Sequence, residues 1–388
     1  MVWGIAQTRR LLRRRRQGLL FSAEQRATLV NVKLKWVKDR ALDSVVARER
    51  HLRQVHRLLE LISTDPRGGV PANDLPSRPL HLGKLSLLPS DFLLRFPALF
   101  RRSSAHSIGP SSPWIYLTDD ALKLRELELS VLRNSEREIV DRLRRLLMLT
   151  VNLSLPLHTV DQLRWDIGLP SEYQEKILHR YPHFFDFVRP DEDERVWLKL
   201  SSWDPVLAVS ELQRSSTNGG FNGDSLAFPV SFTRGFCLRR KCMMWLQEWQ
   251  TLPYTSPYAD PSGLDPRTDV SEKRIVGLFH ELLHLTIGKK TERSNLSNLR
   301  KPLRLPQKFT KVFERHPGIF YLSQKLGVHT VVLREAYGGG RELLRKHPLV
   351  GIREKYAAMM NVGRPEIRWR FSISEESEVA SSEEFYHN

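Results

Sequence analysis

The sequence predicts an α+β fold that is mainly helical and contains three winged-helix-like repeats in tandem, each with helices followed by a β-hairpin. Two observations support this prediction. The chain of 388 residues is longer than one average domain, and its 40% hydrophobic content is enough to form buried cores. In addition, three related stretches recur along the chain, at residues 88–100, 169–185 and 305–320.

Each related stretch predicts a short helix between two prolines. The stretch opens with Leu-Pro, and proline suits the first turn of a helix because its φ is fixed and it has no N–H to leave unpaired. It closes at Pro97, Pro182 or Pro317, and a proline disfavours the α conformation in the residue before it. An aromatic strand and a turn come next, and a second strand is then expected at 114–117, 196–200 and 330–333.

Apolar helical segments precede the second and third stretches. They are predicted at Ile139–Met148 and 274–287, each followed by a shorter helix that begins near His158 or Glu292. Prolines interrupt the matching part of the first repeat, which is therefore less clear. The repeats are expected at about 45–128, 135–204 and 270–337, with an insertion at 205–268 that holds a Ser/Asn/Gly-rich loop.

The charge pattern points to a polyanion as the partner. The 61 Lys and Arg against 44 Asp and Glu give a net charge of +17 at pH 7, which favours binding to nucleic acid or to a membrane surface. Residues 1–22 hold six arginines and no acid, a composition typical of an organelle transit peptide, which we expect at 1–30. A basic arm that binds nucleic acid directly is the alternative. Five glutamates predict an acidic disordered tail at 373–388.

The leader also indicates a compartment. Its high Arg content and low Ser/Thr content favour the mitochondrion, with the chloroplast as the alternative. No run of 18 apolar residues occurs, so no membrane insertion is expected. Cys237 and Cys242 are too few for a disulfide framework or a zinc ribbon, and no phosphate-binding Gly-Lys-Ser/Thr loop occurs. A secreted disulfide scaffold and a zinc ribbon are therefore excluded, and ATPase activity is not supported.

One motif suggests metal chemistry. His280, Glu281 and His284 match the H-E-x-x-H pattern, in which two histidines one helical turn apart bind Zn²⁺ and the glutamate activates water. A zinc metalloprotease is therefore an alternative function. No further histidine follows at the spacing of the extended zinc motif. Three acidic residues remain as conceivable ligands, but nothing in the sequence marks any of them: Glu292, Glu314 and Glu335. The segment also carries a helical apolar stripe typical of a core helix, so we expect no metal.

Several segments resemble the plant organelle RNA recognition (PORR) domain. They are residues 35–49, the first related stretch, 235–258, 275–283 and the third related stretch with 335–337, in the order that the family has them. The resemblance covers roughly 30–372, and we place the RNA-binding domain at 31–372. It implies a non-catalytic organellar protein of land plants that binds group II intron RNA and promotes its splicing with other splicing factors. The family has no defined catalytic site, and neither a catalytic residue nor a cofactor is expected.

The candidate RNA-binding residues are basic side chains near the repeats and in the insertion, together with two tryptophans that are candidates for stacking on bases. They are Arg95, Arg101, Arg102, Arg180, Arg239, Arg240, Lys241, Trp245, Trp249, Lys289, Lys290, Arg300, Lys301, Lys311 and Arg315. A packing role in the core is the alternative for both tryptophans. A winged-helix protein that binds DNA is a further alternative function.

Overall fold

A computed structural model of the chain describes residues 34, 36–75, 93–103, 113–191, 193–217, 226–236, 239–339 and 342–362. These residues belong to two compact units. The larger unit holds the described residues up to Leu61 and Leu122–Ala357, and the smaller unit holds those within Ile62–Ala121 and from Ala358 onward. The expected transit peptide, the acidic tail and most of the Ser/Asn/Gly-rich loop lie outside the described residues.

The described helices run along most of the chain. Their bounds are α1 Arg40–Arg48, α2 Leu52–Thr64, α3 Asp119–Asn134, α4 Glu136–Met148, α5 Leu157–Ile167, α6 Tyr173–Lys176, α7 Glu211–Thr217, α8 Arg240–Thr251, α9 Asp269–Leu285, α10 Lys311–Arg315 and α11 Pro348–Asn361. Polar side chains cap the N-termini of two of them. Asp39 accepts hydrogen bonds from two N–H groups of α1, and Thr268 accepts one from the N–H of Ser271 in α9. In the part of the chain that the structure describes, no helix is both long and apolar enough to span a bilayer.

The strands form small antiparallel sheets between the helices. Their bounds are β1 Gly69–Pro71, β2 Phe100–Ser103, β3 Trp114–Leu117, β4 Ser154–Pro156, β5 Phe185–Val188, β6 Trp197–Leu200, β7 Lys290–Glu292, β8 Phe320–Ser323, β9 Thr330–Leu333, β10 Tyr337–Gly338 and β11 Glu342–Leu343. Three sheets share one topology, with orders β1-β3-β2, β4-β6-β5 and β7-β9-β8. The chain is thus an α+β protein with a recurring three-stranded sheet.

The recurrence includes the helices around each sheet in the larger unit. A long helix, a three-residue strand, further helical turns and a hairpin follow one another from α4 to β6, and the same order returns from α9 to β9. The predicted strands at 114–117 and 330–333 coincide with β3 and β9, and β6 begins one residue later than expected. The first strand of each sheet was not predicted, because three residues are too few to show an alternating pattern.

The helices after Leu-Pro are shorter than predicted. In the second and third repeats they begin at Tyr173 and Lys311, several residues after the proline. Between Pro306 and α10 the backbone makes i to i+3 hydrogen bonds, for example from the N–H of Phe309 to the carbonyl of Pro306 at 3.2 Å. These are the bonds of turns and 3₁₀ segments, and Pro306 therefore opens a tight turn before α10.

The larger unit has an extensive core between its two three-stranded sheets and their helices. Side chains such as Leu143 of α4, Leu163 of α5 and Phe279 of α9 are fully buried there. The insertion contributes to the same core through Trp249 of α8. Burial of this apolar surface is the main source of stability, at about 25 cal/mol per Å² removed from water.

Helix α1 covers the third sheet. Leu42 and Val46 pack against Tyr321 and Val332, and Asp43 accepts a hydrogen bond of 2.9 Å from the Tyr321 hydroxyl. All residues of β8 and β9 are buried, so neither strand offers an exposed face to a ligand. The sheet of the smaller unit differs, because β2 and β3 keep exposed or partly exposed residues.

Candidate nucleic-acid interface

Strand β3 presents two aromatic side chains on the outer face of the sheet in the smaller unit. Successive residues of a strand point to opposite faces, and Ile115 and Leu117 are buried while Trp114 and Tyr116 are partly exposed. The two outer rings have centroids 6.2 Å apart and an interplanar angle of 21°. They form a nearly parallel pair of aromatic surfaces next to solvent.

Two arginines lie over these rings. Arg101 is the cross-strand partner of Tyr116, and its guanidinium carbon is 5.6 Å from the centroid of the tyrosine ring. The guanidinium of Arg67 is 4.8 Å from the Trp114 ring and is held by Asp65 through bonds of 2.9 and 3.1 Å. Such cation–π contacts keep positive charge beside the rings. We call Arg67, Arg101, Trp114 and Tyr116 the sheet platform.

Only part of this surface is predicted from the sequence. The candidates included Arg101 and two further exposed arginines of the smaller unit, Arg95 and Arg102. They did not include Trp114 or Tyr116, although the alternation in the predicted strand 114–117 puts both on the face opposite the buried Ile and Leu. Arg67 was missed as well, because it lies 47 residues before Trp114 in the sequence. Their proximity comes from the pairing of β3 with both β1 and β2.

A second basic surface lies at the N-terminus of helix α8. Arg239 is the residue before the helix, Arg240 and Lys241 are its first two residues, and all three side chains are exposed. Among the described residues, no side chain caps this end, and the first turn has no acid. The N-terminus of a helix carries positive partial charge, and three cations there add to it. The combined positive charge favours the binding of an anion. We call these three residues the helix patch.

The two tryptophans of α8 lie further along the helix and pack into the core. Trp245 is 6% exposed and Trp249 is 1% exposed. The ring centroid of Trp249 is 4.3 Å from that of the His316 imidazole and 5.9 Å from that of the Phe228 ring. In this packing their faces are covered by protein, so neither ring belongs to the RNA-binding surface that we propose.

Lys289 and Lys290 have intramolecular partners. The Lys289 ammonium donates to the carbonyl of His284 at 2.5 Å, and burial lowers the pKa of Lys289 to about 8. Lys290 lies in β7 and pairs with Glu49 at 2.7 Å. These contacts occupy both ammonium groups within the larger unit, and neither lysine is part of the proposed surface.

The remaining basic candidates differ in their surroundings. Arg315 is half-buried and pairs with Glu272 at 3.0 Å. Arg180 is 57% exposed and pairs with Glu136 at 2.6 Å, an exposed ion pair of the kind that contributes little to stability. Lys301 and Lys311 are exposed, and Arg300 is partly exposed.

The H-E-x-x-H segment lies in α9 and its histidines meet a third residue. The Nε2 atoms of His280 and His284 are each 2.8 Å from Oε1 of Glu335, in the turn that follows β9. The sequence did not mark Glu335 as a ligand. It lies 51 residues beyond His284, and the pairing of β7 with β9 brings the chain back towards α9.

Glu281, the general base of the metalloprotease alternative, is engaged elsewhere. It is fully buried, accepts a hydrogen bond of 2.6 Å from the Tyr258 hydroxyl and forms an ion pair with Arg145. Its second oxygen accepts from the N–H of Glu211 at 2.7 Å. Burial alone would raise the pKa of Glu281, but the charge of Arg145 and these hydrogen bonds lower it. The carboxylate is therefore held as a buried anion by Arg145, Tyr258 and the backbone of Glu211.

Comparison with known proteins gives the family. The model of the plant organelle RNA recognition domain matches residues 37–365. An Arabidopsis thaliana protein named WHAT'S THIS FACTOR 9, mitochondrial, is 35% identical over 344 residues, which cover 87% of each chain. The maize protein WHAT'S THIS FACTOR 1, chloroplastic, is 32% identical over 91% of this chain and 72% of its own.

A further relative extends over the same region. ROOT PRIMORDIUM DEFECTIVE 1 of Arabidopsis thaliana is 28% identical over 93% of each chain. No solved structure matches the chain significantly. Since the family model covers nearly all of the sequence, the chain belongs to the plant organelle RNA recognition domain family.

Proposed function

We propose that this protein binds single-stranded intron RNA in a plant organelle and promotes its splicing without catalysing a reaction itself. The observation that carries the proposal is the sheet platform. Two nearly parallel aromatic rings, each beside a guanidinium, lie on an exposed sheet face. Unstacked bases of single-stranded RNA bind to such surfaces, and each stacked base contributes about 1–3 kcal/mol.

The helix patch supports the same proposal through charge. Arg239, Arg240 and Lys241 are exposed at the first turn of α8, where the N–H groups of the helix begin. Phosphate contacts of this kind add affinity for any sequence and make it strongly dependent on salt. Phosphate binding is the second component of single-strand binding, beside the stacking of bases.

The recurring element order supports a winged-helix-like repeat, and DNA is the alternative ligand for such a fold. Winged-helix and helix-turn-helix proteins read DNA with a helix laid in the major groove. The helices at the corresponding positions here, α6 and α10, have four and five residues, so they are only about 6–8 Å long at 1.5 Å per residue. That length is too short to follow several base pairs, which favours RNA over duplex DNA.

The metalloprotease alternative is disfavoured by Glu281. Its carboxylate is committed to Arg145, Tyr258 and the backbone of Glu211. A hydrolase of this type needs that carboxylate free beside the metal-bound water. We therefore infer a binding protein, and the purified protein should show no zinc-dependent peptide hydrolysis.

The leader and the relatives support an organellar location. One relative is named as mitochondrial and another as chloroplastic, and residues 1–22 have transit-peptide composition. We propose the mitochondrion. A fluorescent reporter fused to residues 1–40 tests this choice, and import into plastids would reverse it.

The intron assignment is tested in the organelle. The tagged protein is crosslinked to RNA, purified and its RNA sequenced, while plants without the protein are examined for unspliced transcripts. We expect group II intron RNA to be enriched, and the same introns to remain unspliced in its absence. Co-purification of other splicing factors is also expected. Enrichment of DNA alone, or normal splicing in the mutant, would contradict the proposal.

A further inference from the structure

We infer that His280, His284 and Glu335 form a binding site for a divalent transition-metal ion, with Zn²⁺ as the preferred occupant. One donor atom from each residue lies within 4.8 Å of the others. Small rotations of the side chains would place all three at coordination distance from one ion, about 2.0–2.2 Å. Imidazole nitrogens suit zinc and its neighbours, whereas Ca²⁺ and Mg²⁺ select oxygen ligands.

Two rigid elements preorganise the site. The histidines lie one turn apart on α9, so their side chains leave the same face of the helix. Glu335 sits in the turn directly after β9, and its neighbour Arg334 fixes that turn by donating to the carbonyl of Pro317 at 2.6 Å. The site therefore joins a core helix to the end of the third sheet.

One carboxylate oxygen of Glu335 has no hydrogen-bond partner among the described residues, which is evidence for a cation site. Both imidazole Nε2 atoms contact the same oxygen, Oε1 of Glu335, at 2.8 Å. Its other oxygen, Oε2, is buried and has no hydrogen-bond partner among the described residues. A buried carboxylate oxygen without a partner is costly, and a metal ion would supply the missing contact.

Space for a fourth ligand lies on one side of the cluster. His284 and Glu335 line a cavity of about 450 Å³ together with Arg145 and Lys289. The side chains of His284 and Glu335 are 17% and 18% exposed, whereas His280 is 1% exposed. A water molecule can therefore reach the ion from the cavity, while His280 closes the site on the core side.

The site would have a structural rather than a hydrolytic role. Glu281, the residue that would activate a metal-bound water, is held by Arg145 and Tyr258. An ion bound to both α9 and the turn of Glu335 would stabilise the folded state over the unfolded state, and this effect grows with metal concentration. This inference is independent of the RNA-binding function and has its own measurements.

Metal binding by the full-length chain tests the inference. The protein is stripped with a chelator, equilibrated with Zn²⁺ and assayed for bound metal, alongside His284→Gln, Glu335→Gln and the exposed control His183→Gln. We expect about one Zn²⁺ per chain in the wild type and the control, and at least a tenfold loss of affinity in the two site variants. Equal zinc binding by wild type and site variants would overturn the inference, because the metal would then lie elsewhere.

A second measurement does not depend on the variants folding. Co²⁺ added to the stripped wild-type protein should give the visible absorption of a coordinated ion, and Zn²⁺ should displace it and raise the Tm. A wild-type protein that gives neither the Co²⁺ absorption nor a Zn²⁺-dependent rise in Tm would overturn the inference and leave a metal-free His–Glu cluster. RNA affinity, measured separately, shows whether the binding function survives in either case.

Discussion

The ring of Tyr116 lies directly on the backbone of its cross-strand partner Gly69. A Cβ placed at residue 69 would come within 2.6 Å of two ring carbons of Tyr116, closer than Cβ atoms approach their neighbours in real proteins. The glycine therefore allows the tyrosine ring to lie flat across β1. On the other neighbouring strand, the guanidinium carbon of Arg101 lies 5.6 Å from the centroid of the same ring.

Gly69→Val should displace that ring and weaken RNA binding. The added side chain cannot fit below Tyr116, so the ring must turn away from the platform, and we expect a loss of about 1–3 kcal/mol in binding, the value of one stacked base. Fluorescence anisotropy with a single-stranded RNA checks the prediction. Gly263→Ala is the matched control, since nothing lies within 4 Å of a Cβ there. Unchanged affinity in Gly69→Val would show that Tyr116 does not stack on RNA.

Replacement of the helix patch should change the salt dependence of binding. With Arg239, Arg240 and Lys241 all changed to Ala, affinity should fall for every RNA sequence. The slope of log K against log salt should flatten by about 0.7 for each phosphate that the variant no longer neutralises. Titrations at several salt concentrations measure the slope. An unchanged slope in a folded triple variant would remove the helix patch from the binding surface.

Trp249→Ala should destabilise the protein. The indole is buried against His316 and Phe228, and removal of a large buried aromatic side chain costs about 3–5 kcal/mol. Urea unfolding measures the loss, with Met243→Ala, exposed on the same helix, as the control. A folded Trp249→Ala variant of normal stability and weakened RNA binding would restore the tryptophan as a stacking candidate.

The two tryptophans show where sequence patterns reach their limit. Beside three cations they have the composition of an RNA-binding segment, but Trp245 and Trp249 are buried in the core. A pattern of residue types does not say which face the protein covers. That depends on the neighbouring helices and sheets, which come from distant parts of the chain.

Local patterns were more informative about the strands. The sequence predicted β3 and β9 because aromatic and β-branched residues are concentrated there. Strand β1 was not predicted, because Gly69–Pro71 is too short to show a pattern and contains glycine and proline, which strand interiors disfavour. The contact of Glu335 with two histidines was not predicted for a different reason. It depends on the pairing of β7 with β9, which brings distant parts of the chain together.

Protonation of Glu128 should weaken the larger unit in acid. Burial alone would raise the pKa of Glu128, but His56 and Arg125 lower it to about 2 from the ordinary value of 4.5. The unfolded state therefore binds this proton first, and the stability contributed by Glu128 is present above about pH 4.5 and lost as the pH falls towards 2.

Glu128→Gln tests this assignment. The change removes the carboxylate that His56 and Arg125 contact at 2.7 Å and leaves them contacts of 3.7 Å with Glu60. It should cost up to about 3–5 kcal/mol at pH 7. It should also remove part of the loss of stability between pH 4.5 and 2. Chemical unfolding as a function of pH measures both, with the exposed Glu126→Gln on the same helix as the control. Equal pH profiles for Glu128→Gln and the wild type would contradict the assignment.

Binding of single-stranded RNA by the sheet platform is the most direct test of the account. The affinities of wild type and of a Trp114→Ala, Tyr116→Ala double variant are compared on single-stranded RNA and duplex DNA at the same salt concentration. We expect the wild type to prefer single-stranded RNA, and the variant to lose about 2–6 kcal/mol on RNA, two stacked bases, with its salt slope unchanged. A folded double variant that binds RNA as tightly as the wild type, or a wild type that prefers duplex DNA, would contradict the account.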